Sequence, residues 1–227
     1  MNSKAENYLL NPPVGSKAAE AVAYGIDLTL VVENLRLTPA ERIKRLQTEL
    51  SGIDEIKGEL TKGGRGPAKS DLSKLLVSLL ERNVSFVIVG DVAMTVWGFF
   101  PRRLLLEVIF DQDHANIELL DASISPFNLR KRGSANSYFE PSSKFVKKGE
   151  KCQKLISDLG PIDLLTEIDG VGKFCDVVNA SVSVELFGYP VWILTPEGLI
   201  ENIAARGLES DQDSLRFLEI LVESRSN

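Results

Sequence analysis

The stretch of residues 85–111, SFVIVGDVAMTVWGFFPRRLLLEVIFD, constrains the fold more than any other part of this chain. Two short apolar runs, at 85–89 and 104–110, have the length and composition of buried strands. Gly90 follows the first run and marks a turn, and residues 92–99 have the pattern of a helix. The stretch therefore predicts a strand, a glycine turn, a helix and a second strand. A chain built around such a unit must combine helices with a sheet.

Further helices and strands are predicted on both sides of this unit. Thr38, Pro39 and Glu41 form a capping box with proline at the first helical position, which predicts a helix over residues 39–60. The other patterns predict a loose tail at 1–17, a flexible connector at 62–69, helices at 71–82, 115–123 and 211–224, a strand containing PIDLL within 155–165, a hairpin at 182–194, and a helix that begins after Thr195 and Pro196.

These elements predict an α+β fold with a mixed β-sheet flanked by helices. In this division, residues 1–69 form the N-terminal tail, a helical lead-in and a linker. Residues 70–227 form one domain that includes the C-terminal helices.

The composition narrows the class of protein. The apolar fraction is 44% and the formal net charge is −6, which favours a globular chain and argues against a generally basic nucleic-acid binder. Two cysteines and one histidine are too few for a disulfide framework or a zinc site. The chain also lacks a signal-peptide pattern and a long apolar run, so we expect a soluble cytoplasmic protein with no membrane partner.

Residues 124–154 differ in charge from the rest of the chain. They contain two acidic residues, Glu140 and Glu150, and the eight basic residues Arg130, Lys131, Arg132, Lys144, Lys147, Lys148, Lys151 and Lys154. Their net charge of +6 leaves −12 for the remainder of a chain whose total is −6. This segment could contact an RNA backbone or an acidic partner, or it could be an ordinary solvated loop.

The glycine turn and the arginines after it are candidates for binding a nucleotide phosphate. Backbone N–H groups at a turn that opens a helix favour an anion, and Gly90 and Asp91 lie at such a place. Asp91, however, puts a negative charge there, and it could simply cap the helix. Arg102 and Arg103 could neutralise phosphates or could lie in a solvated loop.

Two carboxylates are candidates for metal binding. Two-metal phosphoryl transfer needs acids that share divalent ions, and acids two residues apart on one strand point the same way. Glu107 has leucine two residues before it and isoleucine two residues after it, so one such partner is missing. Asp163 is a plausible acid from another strand. Otherwise Glu107 would be an edge-strand charge and Asp163 a hydrogen-bonded residue at a strand end.

Four segments together resemble a bacterial family of small nucleotidyltransferase-fold proteins of the toxin-like or abortive-infection type. They are GIDLTLVVENLRLTPAERI, SFVIVGDVAMTVWG, DLGPIDLLTEIDGVG and VELFGYPVWILTPEGLI. The resemblance runs from about Gly25 to Ser224 and implies a polymerase-beta-type fold. It also implies that Asp163 matches the third carboxylate of the family.

The departures from the family pattern fall on its working residues. The second strand of the family ends in two aspartates one residue apart, and here Glu107 matches only one of them. Asp91 replaces the second glycine of the turn. Neutral residues stand where the family has basic ones, at Ile203, Leu208 and Ser210, whereas Gly207 and Asp211 remain.

The resemblance implies a protein that keeps the fold, has degenerate catalytic motifs, and binds a macromolecular partner or a nucleotide. The alternative is an active enzyme that uses Glu107, Asp163 and Mg²⁺ to transfer a nucleoside monophosphate to a protein or RNA hydroxyl. A third interpretation is an antitoxin or scaffold subunit of a defence or toxin–antitoxin system. Loss of an acid that neutralises a metal ion favours the first interpretation.

Overall fold

A mixed seven-stranded sheet lies at the centre of the computed structural model, which describes residues 3–60, 71–132 and 150–226. Its strands are β1 (Phe86–Val89), β2 (Leu106–Phe110), β3 (Arg130–Lys131), β4 (Cys152–Ser157), β5 (Gly160–Leu165), β8 (Ser181–Leu186) and β9 (Tyr189–Leu194). They follow the order β3–β4–β5–β2–β1–β9–β8. Strands β6 (Glu167–Ile168) and β7 (Gly172–Lys173) form a separate two-stranded sheet.

Strands β1 and β2 lie in the middle of the large sheet. Strand β1 pairs antiparallel with β2 and parallel with β9, and β2 pairs parallel with β5. The outer pairs β3–β4, β4–β5 and β8–β9 are antiparallel. Central strands are covered on both faces, which explains why β1 is apolar throughout and why β2 is apolar except at Glu107.

Helices flank the sheet. They are α1 (Ser3–Leu10), α2 (Lys17–Tyr24), α3 (Leu28–Arg36), α4 (Pro39–Leu60), α5 (Leu72–Glu81), α6 (Gly90–Val96), α7 (His114–Ile124), α8 (Phe174–Asn179), α9 (Pro196–Arg206) and α10 (Gln212–Ser226). The predicted α+β class, with a mixed sheet between helices, is confirmed.

The predicted start of helix α4 is confirmed in atomic detail. The hydroxyl of Thr38 accepts a hydrogen bond from the backbone N–H of Glu41 at 3.3 Å, and the Glu41 carboxylate accepts one from the Thr38 N–H at 2.7 Å. This reciprocal pair satisfies N–H groups that a helix start leaves without an internal partner. Local chemistry alone therefore determines where α4 begins.

The prediction of a loose tail over residues 1–17 is wrong, because Ser3–Leu10 is a helix. Helices α1 and α2 both pack against α10, and Tyr8, Leu9, Ala18 and Ala21 belong to the main hydrophobic core. The segment contains few apolar residues, and contact with helices later in the chain, α3 and α10, buries them. The predicted connector at 62–69 lies outside the described residues, as do residues 133–149 of the basic segment.

Candidate functional site

The candidate site is the end of strands β1, β2 and β5 at which Gly90, Asp91, Glu107 and Asp163 lie. Strand β1 ends at Val89, and helix α6 begins at the next residue. Gly90 adopts a φ of +59°, which is in the left-handed region that favours glycine. A Cβ atom at this position would lie 1.8 Å from Oε2 of Glu107. Only glycine therefore lets the turn approach this carboxylate.

The carboxylate of Glu107 occupies the turn. The backbone N–H of Asp91 donates a hydrogen bond to Oε2 of Glu107 at 3.2 Å. An N–H group at the start of a helix is the kind of donor that binds a phosphate oxygen in other proteins. Here that donor already has an anionic acceptor from within the chain.

Asp91 does not cap helix α6, in contrast to one prediction from the sequence. The N-cap residue is Val89, which makes no side-chain cap hydrogen bond. Instead, Nε of Arg103 donates to Oδ2 of Asp91 at 2.7 Å, and the Asp91 side chain is 8% exposed. In this pair the guanidinium of Arg103 is exposed and the carboxylate of Asp91 is buried.

Glu107 and Asp163 lie side by side on neighbouring parallel strands, where the register pairs their Cα atoms directly. Such neighbours project from the same face of a sheet. Glu107 is therefore not an edge-strand charge, and Asp163 lies within β5 and not at a turn. The sequence predicted both residues as site acids, and the sheet brings them together.

Asp163 is neutralised by a residue of the basic segment. Nη2 of Arg132 donates to Oδ2 of Asp163 at 2.7 Å, and the Asp163 side chain is 5% exposed. Its other oxygen, Oδ1, is buried and has no hydrogen-bond partner in the described part of the chain. Lys154 stands opposite Asp163 on the antiparallel strand β4 and adds a further positive charge.

Burial is the main cause of the electrostatic character of this site. It raises the pKa of Asp91, of Glu107 and of Asp163, because a carboxylate loses solvation when it is removed from water. Negative charge on Asp91 and Asp163 raises the pKa of Glu107 further. The arginine partners of Asp91 and Asp163 act in the opposite direction and lower their pKa values.

The two predicted phosphate arginines differ in what they contact. Arg103 is paired with Asp91, as described above. Arg102 is exposed and has no ion pair among the described residues. That Gly90, Asp91, Arg102 and Arg103 bind a nucleotide stays a prediction.

Two more charged residues influence Asp91: Asp211, which the sequence resemblance identified as a retained family position, and Arg206, which the sequence did not indicate. Nη2 of Arg206 donates to Oδ2 of Asp211 at 2.5 Å, and both groups influence the pKa of Asp91. The position of Arg206, just before the glycine that ends α9, could have indicated a role at the end of that helix. Its approach to Asp91 depends on contact between α9 and α6, which no local pattern predicts.

Within residues 3–60, 71–132 and 150–226, no group of three or more His, Cys, Asp or Glu side chains is arranged to hold a metal ion. Glu107 and Asp163 remain the residues that would contact Mg²⁺ if it bound, and that prediction is not tested by this geometry.

None of the described helices is both long enough and apolar enough to span a membrane.

Comparison with known proteins leaves the family of the chain open. No family model matches the sequence, no curated protein matches it, and no solved structure matches its fold.

Proposed function

We propose that this protein has a nucleotidyltransferase-like fold without transfer chemistry, and that it acts by binding a macromolecular partner. The fold part of the proposal is supported by the strand, glycine turn, helix and second strand at residues 85–111. It is also supported by strand β5, which carries Asp163 next to Glu107 as the sequence resemblance implies.

The main observation against nucleotidyl transfer is that the Glu107 carboxylate lies in the turn where a phosphate would have to bind. It accepts the Asp91 N–H at 3.2 Å and leaves no room for any side-chain atom on Gly90. A phosphate in this position would meet two carboxylates, Glu107 and Asp91, at close range. Like charges in a partly buried site repel strongly, which opposes nucleotide binding.

The pairing of the acids with arginines supports the same conclusion. Asp91 is held by Arg103 and Asp163 by Arg132, each at 2.7 Å. A divalent cation at either acid would have to displace a guanidinium or lie beside it. Both possibilities weaken metal binding, and the transition-state stabilisation that a metal supplies would be lost with it.

The direct test is an assay for pyrophosphate release. We expect the protein, incubated with each of the four ribonucleoside triphosphates and Mg²⁺ or Mn²⁺, to release no more pyrophosphate than the Glu107→Ala and Asp163→Ala variants. Those variants serve as matched controls because each removes one predicted metal-ligand acid. Turnover by the natural sequence that disappears in both variants would overturn the proposal in favour of the active enzyme.

The identity of the partner class is tested by co-purification at low and high salt. A stoichiometric protein that remains bound in high salt is expected for a protein partner. RNA that is lost as salt increases would instead point to the basic residues 124–154. Among them, Arg132 and Lys151 already form ion pairs within the protein, Arg132 with Asp163 and Lys151 with Glu167 and Asp169, which favours the protein partner.

A further inference from the structure

A cavity of about 390 Å³ lies at the opposite end of strand β1 from the candidate site. It opens where helix α5 turns into β1, beside the start of β9 and next to helix α8. Its walls combine aromatic rings with polar side chains, among them Asn83, Ser85, Tyr189 and Trp192. This volume is within the range of pockets that bind small molecules.

Aromatic side chains are concentrated in this cavity. Four aromatic side chains of the described residues contribute to its lining: Phe86, Phe174, Tyr189 and Trp192. Trp192 is 45% exposed although it lies in a strand next to the sheet centre. A large apolar ring that stays in contact with water at the wall of a cavity is a favourable stacking surface for a planar ligand.

Polar groups in the same cavity are available for a ligand. The side chains of Asn83, Ser85, Tyr189 and Trp192 make no hydrogen bond within the described part of the chain. They offer an amide and two hydroxyl groups, which can both donate and accept, and an indole N–H, which can donate.

Charge limits what the cavity can hold. Among the residues that the structure describes, no Asp, Glu, Lys, Arg or His side chain lines it. A charged ligand would lose solvation there without gaining a partner of opposite charge. A neutral ligand with a flat aromatic face and a few hydrogen-bonding groups would suit both the rings and the polar side chains.

We propose that this cavity is a binding site for a neutral, planar aromatic or heteroaromatic small molecule, which stacks on Trp192. The proposal is independent of the function proposed for the site around Glu107. Contacts with Asn83 and Ser85 would orient the ring, and the partly exposed ring of Trp192 would be covered on binding.

The chain contains a built-in reporter for the test, because it has only two tryptophans. Trp192 lines the cavity, whereas the indole N–H of Trp97 donates to the backbone oxygen of Leu194 at 2.8 Å. The ¹H–¹⁵N spectrum of the full chain should therefore show two indole signals, one for the cavity and one as an internal control. Trp192→Phe assigns them.

Indole and adenosine are the planar probes, and cyclohexanol is the non-planar control. We expect the planar probes to shift the Trp192 signal in a saturable manner below about 10 mM while the Trp97 signal stays in place. Binding measured by calorimetry should weaken about tenfold in Trp192→Ala, since stacking on one ring contributes about that factor. Val182→Ala, at an exposed residue outside the lining, should bind as the natural sequence does.

Two results would overturn the proposal. One is the absence of a saturable Trp192 shift with both planar probes. The other is binding that cyclohexanol reproduces or that Trp192→Ala retains, because stacking would then play no part. A folded Trp192→Phe variant, which keeps an aromatic ring at this position, guards against misreading a folding defect and should retain most of the affinity.

Discussion

At the scale of single residues, the turn at Gly90 and the position of the Glu107 side chain depend on each other. The glycine provides a left-handed turn and, by lacking a Cβ atom, the space that the glutamate oxygen fills. The glutamate in turn accepts the N–H group that the turn exposes. A substitution at Gly90 should therefore be costly for two separate reasons, backbone strain and steric overlap.

Comparison of Gly90→Ala with Gly207→Ala separates the cost of backbone strain from the cost of steric overlap. Gly207 has nearly the same φ, +61° against +59°, but nothing lies within 4 Å of its would-be Cβ atom. We expect Gly207→Ala to lower the free energy of unfolding by about 1 kcal/mol through strain alone. Gly90→Ala should lower it by about 2 kcal/mol more, because the new methyl group overlaps Glu107. Urea unfolding measures both.

The double variant Gly90→Ala with Glu107→Ala provides the control for this prediction. Removal of the glutamate side chain should bring the loss at position 90 back toward that of Gly207→Ala. Equal losses in Gly90→Ala and Gly207→Ala would mean that Glu107 does not occupy the turn. Glu107 would then not block phosphate binding at this turn, and the proposed loss of transfer chemistry would lose its main support.

At the scale of secondary structure elements, one buried arginine joins three helices. Arg42 on α4 is 8% exposed, and its Nε and Nη2 groups donate to the backbone oxygens of Asn34 and Leu35 at 2.8 Å each. Its Nη1 group donates to the backbone oxygen of Val96 at the end of α6. Burial lowers the pKa of Arg42 to about 10, so it still carries its charge at neutral pH.

Arg42→Met should destabilise the protein strongly. The substitution fills similar space but leaves the oxygens of Asn34, Leu35 and Val96 without this donor, at about 1 kcal/mol or more each. We expect a total loss near 3 kcal/mol in urea unfolding. Arg45→Met, one turn along the same helix, removes an exposed arginine that pairs with Glu49 at 2.7 Å. That variant should lose less than 1 kcal/mol, and a similar loss in both would contradict the joining role of Arg42.

At the scale of the whole molecule, the N-terminal helices belong to the same core as the sheet. Leu9 on α1 is 1% exposed and Ala21 on α2 is 2% exposed, and both belong to the hydrophobic cluster that includes the central strands. Glu223 on α10 accepts hydrogen bonds from the Tyr8 hydroxyl and from the backbone N–H of Lys17, the latter at 2.9 Å. The two ends of the described chain are therefore expected to unfold together.

Leu9→Ala tests this coupling, with Leu10→Ala as its neighbouring control. Loss of a fully buried leucine side chain costs about 2–4 kcal/mol, whereas Leu10 is 45% exposed and its replacement should cost under about 1 kcal/mol. The unfolding transition should remain single in both variants when tryptophan fluorescence and far-UV circular dichroism are followed together. A separate early transition in Leu9→Ala would show that α1 unfolds independently of the sheet.

Much of the local structure could be predicted because it depends on neighbours in the sequence. The capping box at Thr38 fixes the start of α4, and the apolar runs around Gly90 identify two central strands. Asp163 could be selected as a site residue because a carboxylate within an apolar run is costly unless it has a partner. The helix at Ser3–Leu10 could not be predicted, since a helix this short depends on packing, here against α3 and against α10 more than 200 residues later.

The sequence by itself determined that strand, glycine turn, helix and strand follow one another, and that Glu107 and Asp163 are unusual acids. Only the tertiary structure decided what those acids contact. The parallel pairing of β2 with β5 aligns Glu107 with Asp163. Arg103 pairs with Asp91 across 12 residues of the chain, and Arg132 pairs with Asp163 across 31. The physical reason is that charge compensation of buried groups acts through space, between elements whose register is set by the packing of the whole sheet.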